Sequence, residues 1–103
     1  MNKKLLIAVG LSALLVTVTG VQAGDKEAGG AKATKCAGCH GADGKGKAPN
    51  PPLVGLAEDY IVQQLKDYKS GTRVNSMMKM MTQSLSDEDM ANLGAYYASL
   101  PAK

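Results

Sequence analysis

Neither phenylalanine nor tryptophan occurs among the 103 residues, and the aromatic complement is four tyrosines, Tyr60, Tyr68, Tyr96 and Tyr97. A small domain so poor in large rings has little with which to build a self-sufficient apolar core, and such domains commonly borrow a staple. Distant segments have no disulfide to join them, because the two cysteines, Cys36 and Cys39, stand three positions apart. A closed zinc centre of four Cys or His ligands is excluded as well, since His40 is the single histidine and only three such side chains exist. No run alternates apolar and polar residues with period two, so strands are not expected, and no internal repeat is visible. Arg73 is the only arginine, and no basic stripe is interleaved with aromatics, which leaves nucleic-acid binding without support.

The amino terminus has its own character. Met1-Asn2-Lys3-Lys4 precedes an apolar run from Leu5 to about Val18, and Val21-Gln22-Ala23 follows the break at Gly20. A basic start, a short apolar stretch and a small residue before the cut describe a secretory signal. The run is shorter than the ~20 residues a spanning helix needs, so no stable membrane insertion of the mature chain is expected. Cleavage is placed after Ala23, giving a signal peptide over 1–23 and one domain over 24–103. Loss of Lys3 and Lys4 leaves ten Lys/Arg against nine Asp/Glu, so the whole-chain net charge of +3 overstates the basicity of the domain.

Within that domain the pattern is all-α. A first helix is expected over 25–35, with Asp25 as its N-cap and Glu27 in its first turn, where negative charge suits the dipole. Gly29-Gly30 conflicts with this, because each glycine costs about 1 kcal/mol relative to alanine; a close helix crossing would explain them. Glycine and proline exclude regular structure from 41–55. A second helix is expected over 58–69, with Ile61, Leu65 and Tyr68 on one face and Gly71 as the stop. The segment 72–84 is undecided. Ser86-x-x-Asp89 is a capping box opening the last helix, Asp87–Ser99, whose inner stripe is Met90, Leu93, Tyr97 and Leu100.

The stretch Cys36-Ala37-Gly38-Cys39-His40 gathers every cysteine and histidine of the chain. Adjacent Cys39 and His40 suit a single tetrahedral ion poorly. A thioredoxin-like Cys-x-x-Cys needs a βαβ setting, which is absent here. Covalent haem fits: each thiol adds across one porphyrin vinyl, and His40 follows as proximal iron ligand. Cys-x-x-Cys-His is the signature of that attachment, export agrees with it, and a porphyrin would supply the missing apolar bulk. The sixth ligand must come from elsewhere. With no second histidine, a methionine thioether is the natural choice, and Met77, Met78, Met80 and Met81 are available, Met90 belonging to the core stripe.

On these residues, together with Pro51-Pro52-Leu53-Val54-Gly55, Tyr60-x-x-x-Gln64-Leu65, Gly71-x-Arg73, Leu85-Ser86-Asp87 and Tyr96-Tyr97, the chain resembles a class I c-type cytochrome of the small, monohaem, secreted bacterial kind. The resemblance implies a cytochrome c-like fold, three main helices and loops wrapped around one covalently bound haem. It implies a first helix crossing the last through Gly29-Gly30, Gly94 and an aromatic. It places the sixth ligand seven residues before Leu85, at Met78, with the neighbouring methionines as alternatives, and it orients His40 through the carbonyl of Pro51 or Pro52.

The implied site is thus Cys36, Cys39, His40 and Met78, and the implied cofactor is one haem c. The implied role is periplasmic one-electron transport rather than enzymatic catalysis, between a quinol-oxidising cytochrome complex and a terminal oxidase or periplasmic reductase. Lys35, Lys45, Lys47 and Lys79 would guide docking of such partners. Two other roles stand beside it: an open distal site for peroxide or gas chemistry, and a dedicated haem subunit of a larger redox complex.

Overall fold

The computed structural model describes residues 24–102; the expected signal segment lies outside the described residues. Five helices follow one another: α1 (Lys26–Lys32), α2 (Thr34–His40), α3 (Glu58–Ser70), α4 (Ser76–Thr82) and α5 (Asp87–Ser99). Among the described residues the only β-type pairing is one isolated bridge, Lys47 to Asn50, so the all-α expectation is met.

Helix α5 is the spine. Its start is fixed by the expected capping box: the Asp89 N–H donates to Ser86 Oγ at 3.0 Å, and the Ser86 N–H donates to Asp89 Oδ2 at 3.0 Å. Backbone donation to Asp89 holds its carboxyl below the usual carboxylate range, with Lys32 assisting. Met90, Leu93 and Tyr97 recur at helical spacing and are buried, while Leu100 is only half-buried. With Ala33, Ile61 and Leu85 they make up the core, a small one in which Tyr97 is the only fully buried aromatic.

Helices α1 and α3 pack on α5, and α4 packs on α3. The α1–α5 approach is close enough to demand glycine. A Cβ on Gly29 would lie 1.9 Å from the Asn92 carbonyl oxygen, and one on Gly30 would lie 3.1 Å from the Tyr96 ring. Asn92 also reaches back, accepting the Asp25 N–H at 2.7 Å just where Asp25 caps α1. Gly94 departs from expectation. Its added Cβ would meet Val62 at 2.7 Å and the Glu58 carbonyl oxygen at 3.0 Å, so it serves the α3–α5 contact and not the crossing with α1.

The expected helix over 25–35 is also revised. It ends at Lys32, and α2 restarts at Thr34 and carries Cys36 to His40. Ala33 stays right-handed but with ψ −8°, and the Thr34 hydroxyl takes the Ala31 carbonyl at 3.2 Å, the kind of local side-chain bond that competes with a helix ladder. Downstream, Gly71 ends α3 with φ 88°, as the sequence indicates. The undecided segment contains α4, capped by Asn75.

A candidate haem site

Cys36 and Cys39 lie on α2 at i and i+3, hence on one side of a single turn. His40 is the last residue of the helix and is 7% exposed. Gly41, at φ 88° and ψ 145°, turns the chain sharply there, a conformation that is essentially glycine's alone. The loop then folds back and satisfies the end of α2. The Gly46 N–H donates to the His40 carbonyl at 2.7 Å, and the Asn50 side chain donates to the Cys39 carbonyl at 3.1 Å. The same loop brings the Pro51 carbonyl to 2.8 Å from His40 Nδ1. Of the two prolines considered, Pro51 is therefore the partner. A carbonyl only accepts, so Nδ1 carries the hydrogen, and Nε2 is left as the nitrogen with a free lone pair.

These residues line a cleft of about 390 Å³. Leu53 and Leu56 from the loop, Ile61 and Leu65 from α3, and Leu85 and Leu93 contribute apolar wall. Met77, Met78 and Met81 line it from α4. Met80 points elsewhere and is 63% exposed. Helices α2 and α4 do not pack on each other, so the cleft separates His40 from the methionines. Burial pushes the Cys36 thiol up, with hydrogen bonding to Tyr97 pulling the other way; the Tyr97 phenol is raised too, by burial first and by Cys36 next. Among the described residues, the charged side chains lining the cleft are Lys35 and Arg73, and no carboxylate lines it.

The residues present fit a haem. Two unpaired thiols sit one turn apart, an oriented imidazole follows them, and three methionines of α4 and several leucines line the same cleft. All four site residues expected from sequence, Cys36, Cys39, His40 and Met78, border this one cleft. Sequence reasoning assigned no role to three features of its margin. Arg73 lies 4.7 Å above the Tyr68 ring and donates to Gln64 Oε1 at 2.6 Å. Thr82 is 1% exposed, its hydroxyl donating to the Met78 carbonyl at 2.8 Å. Asn75 Oδ1 accepts the Met78 N–H at 2.9 Å. Asparagine three residues before Met78 is a readable N-cap signal; Thr82 offered none until the helix was placed.

Residues 27–101 match the cytochrome c family. The chain is 45% identical over 103 residues to cytochrome c4 of Pseudomonas aeruginosa, covering 96% of this chain and 49% of that one. It is 44% identical over 81 residues to cytochrome c-554(548) of Halomonas halodenitrificans, covering 75% of this chain and 98% of that protein. A thiosulfate dehydrogenase electron acceptor of Stutzerimonas stutzeri is 40% identical over 101 residues, covering 90% of this chain and 46% of that one. Among solved structures, cytochrome c4 of Acidithiobacillus ferrooxidans superposes with a TM-score of 0.72 at 33% identity, over 80% of this chain and 53% of that one. The chain thus spans about half the length of the cytochrome c4 relatives it matches and nearly all of the Halomonas protein. By this match and this geometry, the chain belongs to the cytochrome c family, and its cofactor is covalent haem c.

Proposed function

We propose that this chain is a periplasmic one-electron carrier holding a single haem c, bonded through Cys36 and Cys39, with His40 and Met78 as axial ligands and residues 1–23 as a signal removed on export. One observation carries the reading: the single imidazole and the methionine cluster are supplied by α2 and α4, two helices whose backbones do not pack together, to one apolar cleft. When bound, the group supplies a one-electron change at iron between ferric and ferrous states.

The chain's own residues do the rest. Cys36 and Cys39 fix the porphyrin to one helical turn. His40, its Nδ1 hydrogen held by Pro51, presents Nε2 in one tautomer and orientation. The neutral thioether of Met78 favours ferrous iron and so raises the potential. The leucine walls would shield the group from water on their side of the cleft. With His40 and Met78 both holding the iron, no position would be left for a substrate, which suits a carrier and argues against an enzyme.

Lys35, Lys45, Lys47 and Lys79 are exposed on α2, the following loop and α4, the elements that frame the cleft. With no carboxylate among the described residues lining the cleft, they would favour an acidic face on a redox partner. Such a partner is a quinol-oxidising complex on one side and a terminal oxidase or periplasmic reductase on the other. The likeness to a thiosulfate dehydrogenase electron acceptor favours a second reading, in which the chain accepts electrons as the haem-bearing partner of one dedicated enzyme. Ligation is tested by substitution. Met78→Ala should abolish the long-wavelength sulfur-to-iron charge-transfer band of the ferric protein and lower its potential, while Met80→Leu should leave both unchanged. A band that survives Met78→Ala would move the ligand to Met77 or Met81.

A further inference from the structure

We propose that Asn75 and Thr82 are positioning residues that select Met78 from the methionine cluster and hold its thioether against the iron, an inference that rests on the reading of Met78 as ligand. Helix α4 has seven residues, too few to be stable alone, and four of them are methionines. Met77, Met78 and Met81 all face the cleft, so side-chain chemistry alone does not decide among them. The backbone does. Met78 has its N–H held by Asn75 Oδ1 at 2.9 Å and its carbonyl held by Thr82 Oγ1 at 2.8 Å. The Thr82 hydroxyl also lies 3.2 Å from the Lys79 carbonyl, so its one hydrogen favours Met78. Both holding residues border the cleft, and Thr82 is buried to 1% exposure with its hydroxyl turned back onto the helix. The ligand's peptide units are thereby tied at the N-cap and one turn later, which fixes the register of the turn that carries the sulfur.

Imidazole reads this directly, because it binds the ferric iron only while the methionine is displaced. Its apparent affinity therefore scales with the displaced fraction. Loss of a cap the size of Asn75 raises that fraction about fivefold, so Asn75→Ala should bind imidazole about fivefold more tightly in the ferric holoprotein. Thr82→Val should act in the same direction. Asn75→Ser and Thr82→Ser, which keep a cap acceptor and a hydroxyl donor, should restore wild-type affinity. Residues of merely structural importance would lower the melting temperature without tightening imidazole binding. Wild-type affinity in both Asn75→Ala and Thr82→Val overturns the proposal. Asn75 is exposed, so its variant tests the idea even if Thr82→Val does not fold. Met78→Ala separates the two levels. If it abolishes the sulfur-to-iron band while Asn75→Ala and Thr82→Val leave imidazole affinity unchanged, the ligand stands and the positioning role fails. If it leaves the band intact, the ligand assignment itself fails.

Discussion

Adjacent glycines of α1 should respond very unequally to the same substitution. Gly29 and Gly30 both pay the helix propensity of glycine, so Gly→Ala at either would contribute about 1 kcal/mol were nothing nearby. At Gly29 the new methyl would stand 1.9 Å from the Asn92 carbonyl oxygen and 2.5 Å from its carbon. Ordinary contact begins at 3.4 Å, so α1 and α5 must part by some 1.5 Å, and the obstacle is backbone that cannot rotate aside. Overpacking of this kind costs about 3 kcal/mol or somewhat more. Less the propensity gain, Gly29→Ala should lose about 2 kcal/mol, and a domain this small loses ~4–8 °C of melting temperature per kcal/mol, so the fall should be ~8–16 °C. At Gly30 the nearest atoms are the Tyr96 ring at 3.1 and 3.2 Å. A shift of a few tenths of an ångström in that ring suffices, and Gly30→Ala should fall within ~1 kcal/mol of wild type. Thermal unfolding of the two holoproteins, followed by far-ultraviolet circular dichroism, makes the comparison. Equal stability of the two variants, or a less stable Gly30→Ala, would refute the account of the crossing.

Asp89 carries a pH signature. Its folded pKa lies below its ordinary value of 3.8, because the Ser86 N–H stabilises the ionised form. The unfolded chain thus binds more protons through that window, and the stabilisation, complete above the ordinary value, is lost as pH falls through the depressed one. Denaturant midpoints measured from neutral pH down to acid should fall for wild type and fall less for Asp89→Asn. Ser86→Ala, which removes the other half of the box, should cost about 1 kcal/mol in the same assay. Gly41→Ala forces a Cβ into a backbone region that only glycine populates, and should cost about 1–3 kcal/mol with weakened retention of the His40–Pro51 geometry, read by the reduced-state Soret spectrum and by denaturation. Charge reversal of Lys35, Lys45, Lys47 and Lys79 together should slow electron exchange with an acidic redox partner at low salt and flatten its ionic-strength dependence; unchanged rates would remove these lysines from the docking face.

What sequence could and could not reveal divides along physical lines. Patterns that act within one turn were legible. The Ser86–Asp89 box, the stop at Gly71, the buried positions of α5 and the Cys36–His40 cluster all follow from local spacing. Contacts set by tertiary packing were not. Ala33 is an excellent helix former, and nothing local marks it as the junction of α1 and α2; its burial in the core and the bond from Thr34 to Ala31 do so. Gly94 announces a close approach without naming the partner, and the partner proves to be α3. Pro51 and Pro52 are indistinguishable in a run of loop residues, and the fold of the loop over α2 brings only the Pro51 carbonyl to the imidazole. The methionine cluster is the sharpest case. Composition places four equivalent sulfurs within five positions, and only the phase of α4 removes Met80 from the cleft.

The central claim is that this chain closes the iron on both faces and therefore carries electrons without binding a substrate. Carbon monoxide added to the reduced holoprotein at neutral pH tests it most directly. The account predicts an unchanged visible spectrum, because His40 and Met78 would both hold the iron. Rapid and complete formation of a carbon monoxide adduct would contradict it.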